Sequence, residues 1–174
     1  EFDGPAGIAF DSDGNLLVVD EKNHRIQRYT PDGQFISSFG SEGSGDGEFN
    51  YPWGITVAPN GHIYVADWRN DRIQRFTHLG ELIDVYGTRG RDEGQFDRPS
   101  DIAVDKAGNI FVTDWGNQRL QVFDSEWNFL TTERGAGEMS PWALEYITSN
   151  ADEKAARDLF DPYPKLDVDD PHEV

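Results

Sequence analysis

Cysteine is absent from this chain, methionine occurs once and lysine four times. Without cysteine there is no disulfide, no thiolate metal site and no thiol nucleophile. Basic residues are scarce as a class: 15 Lys and Arg stand against 33 Asp and Glu, a formal net charge of -18. Such a field repels phosphate backbones, so a nucleic-acid partner is not expected. Acidic surfaces poor in lysine also occur in proteins from salty environments. No apolar run is long enough to span a bilayer and no signal peptide is present, so membrane insertion is not expected either. Lack of cysteine leaves the compartment open. An extracellular or cell-envelope setting is compatible with these features, on analogy alone.

What the chain has in abundance is self-similarity. Pro5, Pro52 and Pro99 are spaced 47 residues apart, as are Gly14, Gly61 and Gly108; Asp20, Asp67 and Asp114; Arg25, Arg72 and Arg119; and Gln27, Gln74 and Gln121. No insertion interrupts the register. A repeat of this length with strand-like segments inside it marks a propeller or solenoid. Within the second copy, Trp53 to Ala58, Ile63 to Asp67, Arg72 to Thr77 and Leu82 to Tyr86 read as four short strands divided by turn residues. The second strand of each copy (Leu16 to Val19, Ile63 to Ala66, Ile110 to Thr113) is almost wholly apolar, as expected when both faces are covered. In the third strand Ile26, Ile73 and Leu120 point one way and Tyr29, Phe76 and Phe123 the other. The spacing therefore predicts an all-β fold of three four-stranded antiparallel blades, at about 1–46, 47–93 and 94–135.

The stretch from Asp20 through Asn23, Arg25, Ile26 and Gln27 to Tyr29, repeated at Asp67 to Phe76 and Asp114 to Phe123, resembles the signature of the NHL-repeat family. The resemblance covers roughly residues 1–135. It implies a β-propeller, usually of six blades, so that this chain corresponds to half a ring. Phe2, which is in register with Phe49 and Phe96, places the first residues inside a repeat junction, as at the edge of something longer. Copy three departs late: Trp127 replaces the turn glycines Gly33 and Gly80, and Glu133-Arg134 replaces Phe39-Gly40 and Tyr86-Gly87. The outer edge of that blade departs furthest from the repeat.

Residues that repeat in every copy are expected to serve the scaffold. Asp20, Asp67 and Asp114 pair with Arg25, Arg72 and Arg119 across a tight connection, and Asn23, Asn70 and Asn117 read as turn residues tolerant of the left-handed region. Asp11 to Asn15 lacks the further oxygens of a calcium loop and reads as a hairpin turn. The Gly-rich links from Gly40 to Asn50 and Gly87 to Asp97 precede no Lys-Ser/Thr and no helix, so phosphate binding is rejected, with Phe49 and Phe96 as plugs beneath the blades. His24, His62, His78 and His172 have no metal-ligand spacing with one another. No cofactor, no metal and no catalytic set is expected.

Function is sought instead where the copies differ on one face, the face shared by the inter-blade links and the turn after the second strand. Gly4, Tyr51 and Arg98 are equivalent, as are Ala6, Trp53 and Ser100; the buried Asp is followed by Glu21-Lys22, Trp68-Arg69 and Trp115-Gly116. Tyr51, Trp53, Trp68, Arg69, Arg98 and Trp115 are thus the candidate binding residues, of types that anchor recognition surfaces. The competing reading packs Trp53, Trp68 and Trp115 between blades. A helical insertion or cap is expected at 136–161, opening at Ser140-Pro141, and an acidic, Pro-containing tail at 162–174.

The favoured function is a non-enzymatic interaction scaffold for a protein, peptide or glycan. The alternative, implied by resemblance, is part of a six-bladed metal-dependent lyase or lactonase whose remaining site residues lie elsewhere. RNA binding, known in some NHL relatives, needs a basic surface that the overall charge opposes. Three blades cannot close a ring, so self-association completing one is also expected.

Overall fold

The computed structural model describes residues 1–134. They form twelve strands in three antiparallel sheets of four, each sheet in chain order. The first holds β1 (Pro5–Phe10), β2 (Leu16–Asp20), β3 (Arg25–Tyr29) and β4 (Phe35–Phe39). The second holds β5 (Pro52–Val57), β6 (Ile63–Asp67), β7 (Arg72–Phe76) and β8 (Leu82–Tyr86). The third holds β9 (Pro99–Val104), β10 (Ile110–Asp114), β11 (Arg119–Phe123) and β12 (Phe129–Glu133). The helix and tail expected at 136–161 and 162–174 lie outside the described residues.

Two apolar layers hold the sheets together. Leu17, Val19 and Ile26 of blade 1 meet Phe49, Ile55, Ile63, Val65 and Phe76 of blade 2. Tyr64, Ala66 and Ile73 of blade 2 meet Phe96, Ile102, Ile110, Val112 and Phe123 of blade 3. Ile73 and Phe76 therefore face opposite neighbours, as the alternation of the third strand requires. The all-apolar second strands follow from coverage on both sides. Phe49 and Phe96 are fully buried plugs. Each lies so close to the glycine that follows β4 or β8 and opens the link (Gly40 or Gly87) that a Cβ there would sit 2.4 Å from the ring.

The first strands of the blades lie side by side, and glycine sets their spacing. A Cβ on Gly7 would stand 2.5 Å from the Trp53 carbonyl oxygen, and one on Gly54 2.6 Å from the Asp101 Cα. Copy three is more regular than its sequence suggests. Trp127 takes the left-handed conformation (φ 64°) that Gly33 and Gly80 take in the other copies. It is buried and stacks on Tyr86 at 4.3 Å and 6°. The outer strand β12 pairs along β11 from Leu120–Glu133 to Phe123–Phe129. Burial of the large ring against the preceding blade offsets the strain of a non-glycine turn, so this edge pairs as in the other copies.

Candidate functional site

The site is built on the repeated polar set. In blade 2 the buried Asp67 ends β6 opposite Arg72. Its Oδ1 accepts the Asn50 amide at 2.8 Å, while Oδ2 accepts Asn70 Nδ2 at 2.9 Å, Arg72 Nε at 2.8 Å and Gln74 Nε2 at 3.0 Å. Arg72 then donates to the carbonyls of Ser44, Gly45 and Glu48 at 2.7–2.9 Å. Blade 3 repeats this: Asp114 accepts from Asp97 N, Asn117 and Arg119, and Arg119 donates to the carbonyls of Arg91, Asp92 and Gln95. In blades 2 and 3 one buried carboxylate thus clamps a Gly-rich link whose amides and carbonyls would otherwise be unpaired. Burial pushes the Asp67 carboxyl up, against hydrogen bonds from Asn50, Asn70 and Arg72; Asp20, on the end blade, is held below its ordinary value because its hydrogen bonds from Asp3, Asn23 and Arg25 outweigh its burial.

The asparagines act differently from expectation. Asn70 and Asn117 donate to the clamp carboxylate and to the link carbonyls of Gly43 and Gly90. The left-handed residue of each turn is the next one, His24, Asp71 or Gln118, with φ 53–54°. The side chains of His24 and Asp71 reach the following blade. His24 Nδ1 accepts the Tyr51 amide at 3.2 Å, and Asp71 Oδ1 accepts the Arg98 amide at 2.8 Å. Tyr51 and Arg98 are themselves left-handed (φ 53° and 57°), in the conformation of the equivalent Gly4. A side chain is carried there at a cost of order 1–3 kcal/mol.

On this fixed frame the six candidate residues come together. Trp53 and Trp68 lie 5.6 Å apart (51° between planes), and Trp68 and Trp115 6.4 Å apart (53°). Arg69 sits 4.1 Å over the Tyr51 ring and 5.6 Å from Trp68. Arg98 lies 5.5 Å from Trp68 and 5.9 Å from Trp115. The tryptophans touch one another across blades 2 and 3, yet Trp53 remains 45% and Trp115 59% exposed. They form a stepped surface rather than a buried inter-blade layer.

Beside the steps opens a cleft of about 430 Å³ whose walls include Trp68, Arg69, Asp71, Arg89, Asp97 and Arg98. Burial raises the Asp71 carboxyl, the charge of Asp97 adds to this, and the amide and guanidinium of Arg98 with the guanidinium of Arg89 oppose it. Arg89, Asp71 and Asp97 were not among the sequence candidates. The same rule of difference finds Arg89, since its equivalent in copy one is Glu42. Among the described residues no three His, Asp or Glu side chains gather as metal ligands. Among those residues no helix is long and apolar enough to cross a membrane.

Comparison with known families matches the NHL repeat at residues 2–29, 49–76 and 96–123. No curated protein matches the sequence. Solved structures share the fold. Virginiamycin B lyase from Staphylococcus aureus matches with a TM-score of 0.57 at 20% identity, over 77% of this chain and 42% of its own. A Kuenenia stuttgartiensis hydrazine synthase structure matches with a TM-score of 0.62 at 18% identity, over 82% and 41%. A Bacteroides caccae protein of unknown function matches with a TM-score of 0.55 at 15% identity, over 80% and 50%. The chain spans half or less of the length of these structures. At such identities the likeness concerns fold.

Proposed function

Because the chain belongs to the NHL-repeat family of β-propeller proteins, we propose that it is a non-enzymatic binding scaffold that recognises its partner through the face bearing Tyr51, Trp53, Trp68, Arg69, Arg98 and Trp115. One observation carries this reading. The residues in which the copies differ converge into a continuous patch of aromatic rings and guanidinia, with Trp53, Arg69, Arg98 and Trp115 exposed and Tyr51 and Trp68 half-buried, while the residues in which they agree form the clamps beneath it. Tryptophan, tyrosine and arginine dominate the energetics of recognition surfaces, because each removes a large area from water and still offers a polar edge. The left-handed Tyr51 and Arg98 add to this: glycine suffices in copy one, so the side chains are kept for something other than the turn.

The partner classes in view are a protein, a peptide or a glycan. The test is to pan the immobilised chain against a displayed random-peptide library and a glycan array, then repeat with Trp68→Ala combined with Trp115→Ala. Binding that falls at least about tenfold in a folded double variant supports the reading, about 1.4 kcal/mol or more. Binding indifferent to both tryptophans overturns it. A second reading, membership of a lyase-type enzyme, is favoured by the fold shared with virginiamycin B lyase. It needs site residues beyond those described here.

A further inference from the structure

We infer that the cleft beside Trp68 reads a carboxylate, and that its ligand is an acidic peptide segment carrying Asp or Glu next to an apolar side chain. This rests on the reading of the Trp/Arg face as the binding surface and adds the chemistry of what binds there.

The first ground is where the guanidinia go. The chain carries a net charge of -18, and most described arginines within the blades are committed to its own acids. Arg25, Arg72 and Arg119 serve the clamps, Arg28 faces Asp11, and Arg75 pairs with Asp84. Arg69 and Arg89 are exposed, form no ion pair among the described residues, and line the same cleft as Arg98. An acidic protein here reverses its sign over one small area. The Arg69 guanidinium rests over Tyr51, which leaves its N–H edge free to make the paired hydrogen bonds that suit a carboxylate.

The second ground is what shares the cleft. Asp71 and Asp97 stand among the arginines, Asp71 holding the Arg98 amide and Asp97 lying 3.9 Å from Arg98 Nε. These two carboxylates repel a continuous polyanion, so a nucleic-acid backbone is disfavoured while a single carboxylate between Arg69 and Arg89 is not. The third ground is shape. The indole planes are tilted at 51° and 53° to each other, so they make no flat row on which successive sugar rings lie. They make steps, each of which covers one side chain. A volume of about 430 Å³ accepts a few side chains.

The experiment uses the full 174-residue chain. A phage-displayed random dodecapeptide library is panned on it at about 0.15 M salt. The strongest peptide is then synthesised with its acids intact and with each Asp or Glu replaced by Asn or Gln. The inference expects enriched sequences that place Asp or Glu beside an aromatic or aliphatic residue. It also expects the acidic peptide to bind at least about tenfold tighter than its amide counterpart. Arg69→Gln combined with Arg89→Gln, folded by circular dichroism, should bring the acidic peptide down to the affinity of the amide one. If neutral peptides are enriched and still require Trp68 and Trp115, the binding face stands and the carboxylate reading falls. If no peptide is enriched, or an oligouridylate or oligogalacturonate probe binds through Arg69 and Arg89 where acidic peptides do not, the inference is overturned. Peptide binding that ignores both tryptophans overturns the binding face as well.

Discussion

At the scale of single residues, position within the repeat separated the buried clamps from a variable, more exposed face. The Asp, Arg and Gln that recur were legible as scaffold because the same chemistry at the same offset meets the same need in each blade. Tyr51, Trp53, Trp68, Arg69, Arg98 and Trp115 were legible because they break that pattern, and the fold brings all six together. The role of Asn70 was not legible. Its partners, Asp67 and the carbonyl of Gly43, are 3 and 27 residues away, and only the folded link places the latter within reach. Nor was the left-handed backbone at Arg98, though Gly4 in the equivalent place was a sign of it. Arg98→Gly should leave stability within about 1 kcal/mol of the parent, because relief of the left-handed strain offsets the entropy glycine gains in the unfolded chain. Denaturant midpoints check this. A loss of several kcal/mol would mean that the side chain serves the fold.

Elements were the most legible scale. Four strands per copy follow from apolar runs of five or six residues parted by turn residues, and their alternation assigns each face to a neighbour. The turn before β12 escaped, because a tryptophan at a glycine position reads as a broken hairpin until the ring's partner is known. Tyr86 is that partner, contributed by the preceding blade. Trp127→Gly would therefore suit the local backbone and still destabilise. Removing a buried indole costs about 3–5 kcal/mol, of which strain relief returns about 1 kcal/mol. A net loss of about 2–4 kcal/mol in urea unfolding is expected, and an unchanged or raised midpoint would show that the turn, not the stack, governs this edge.

Over the whole described unit, three like sheets have unlike ends. Ile8 is 62% exposed on the open side of blade 1, whereas its equivalent Ile55 is 5% exposed between blades 1 and 2. On the open side of blade 3, Asp101, Thr113 and Glu133 are exposed where blade 2 has Gly54, Ala66 and Tyr86. Closing a ring with a second copy would set these polar residues against Ile8, Phe10 and Phe35, unlike either internal contact. What unites the molecule is the division between buried clamps and an exposed face, and it can be measured without any ligand. Asp67→Ala leaves Arg72 and Gln74 without their shared anion and should cost about 3–5 kcal/mol in equilibrium unfolding, a large part of a domain's usual stability. Trp115→Ala, at an exposed step, should cost no more than about 1 kcal/mol. Equal losses in the two variants would make the tryptophans part of the packing and contradict the assignment of that face to recognition.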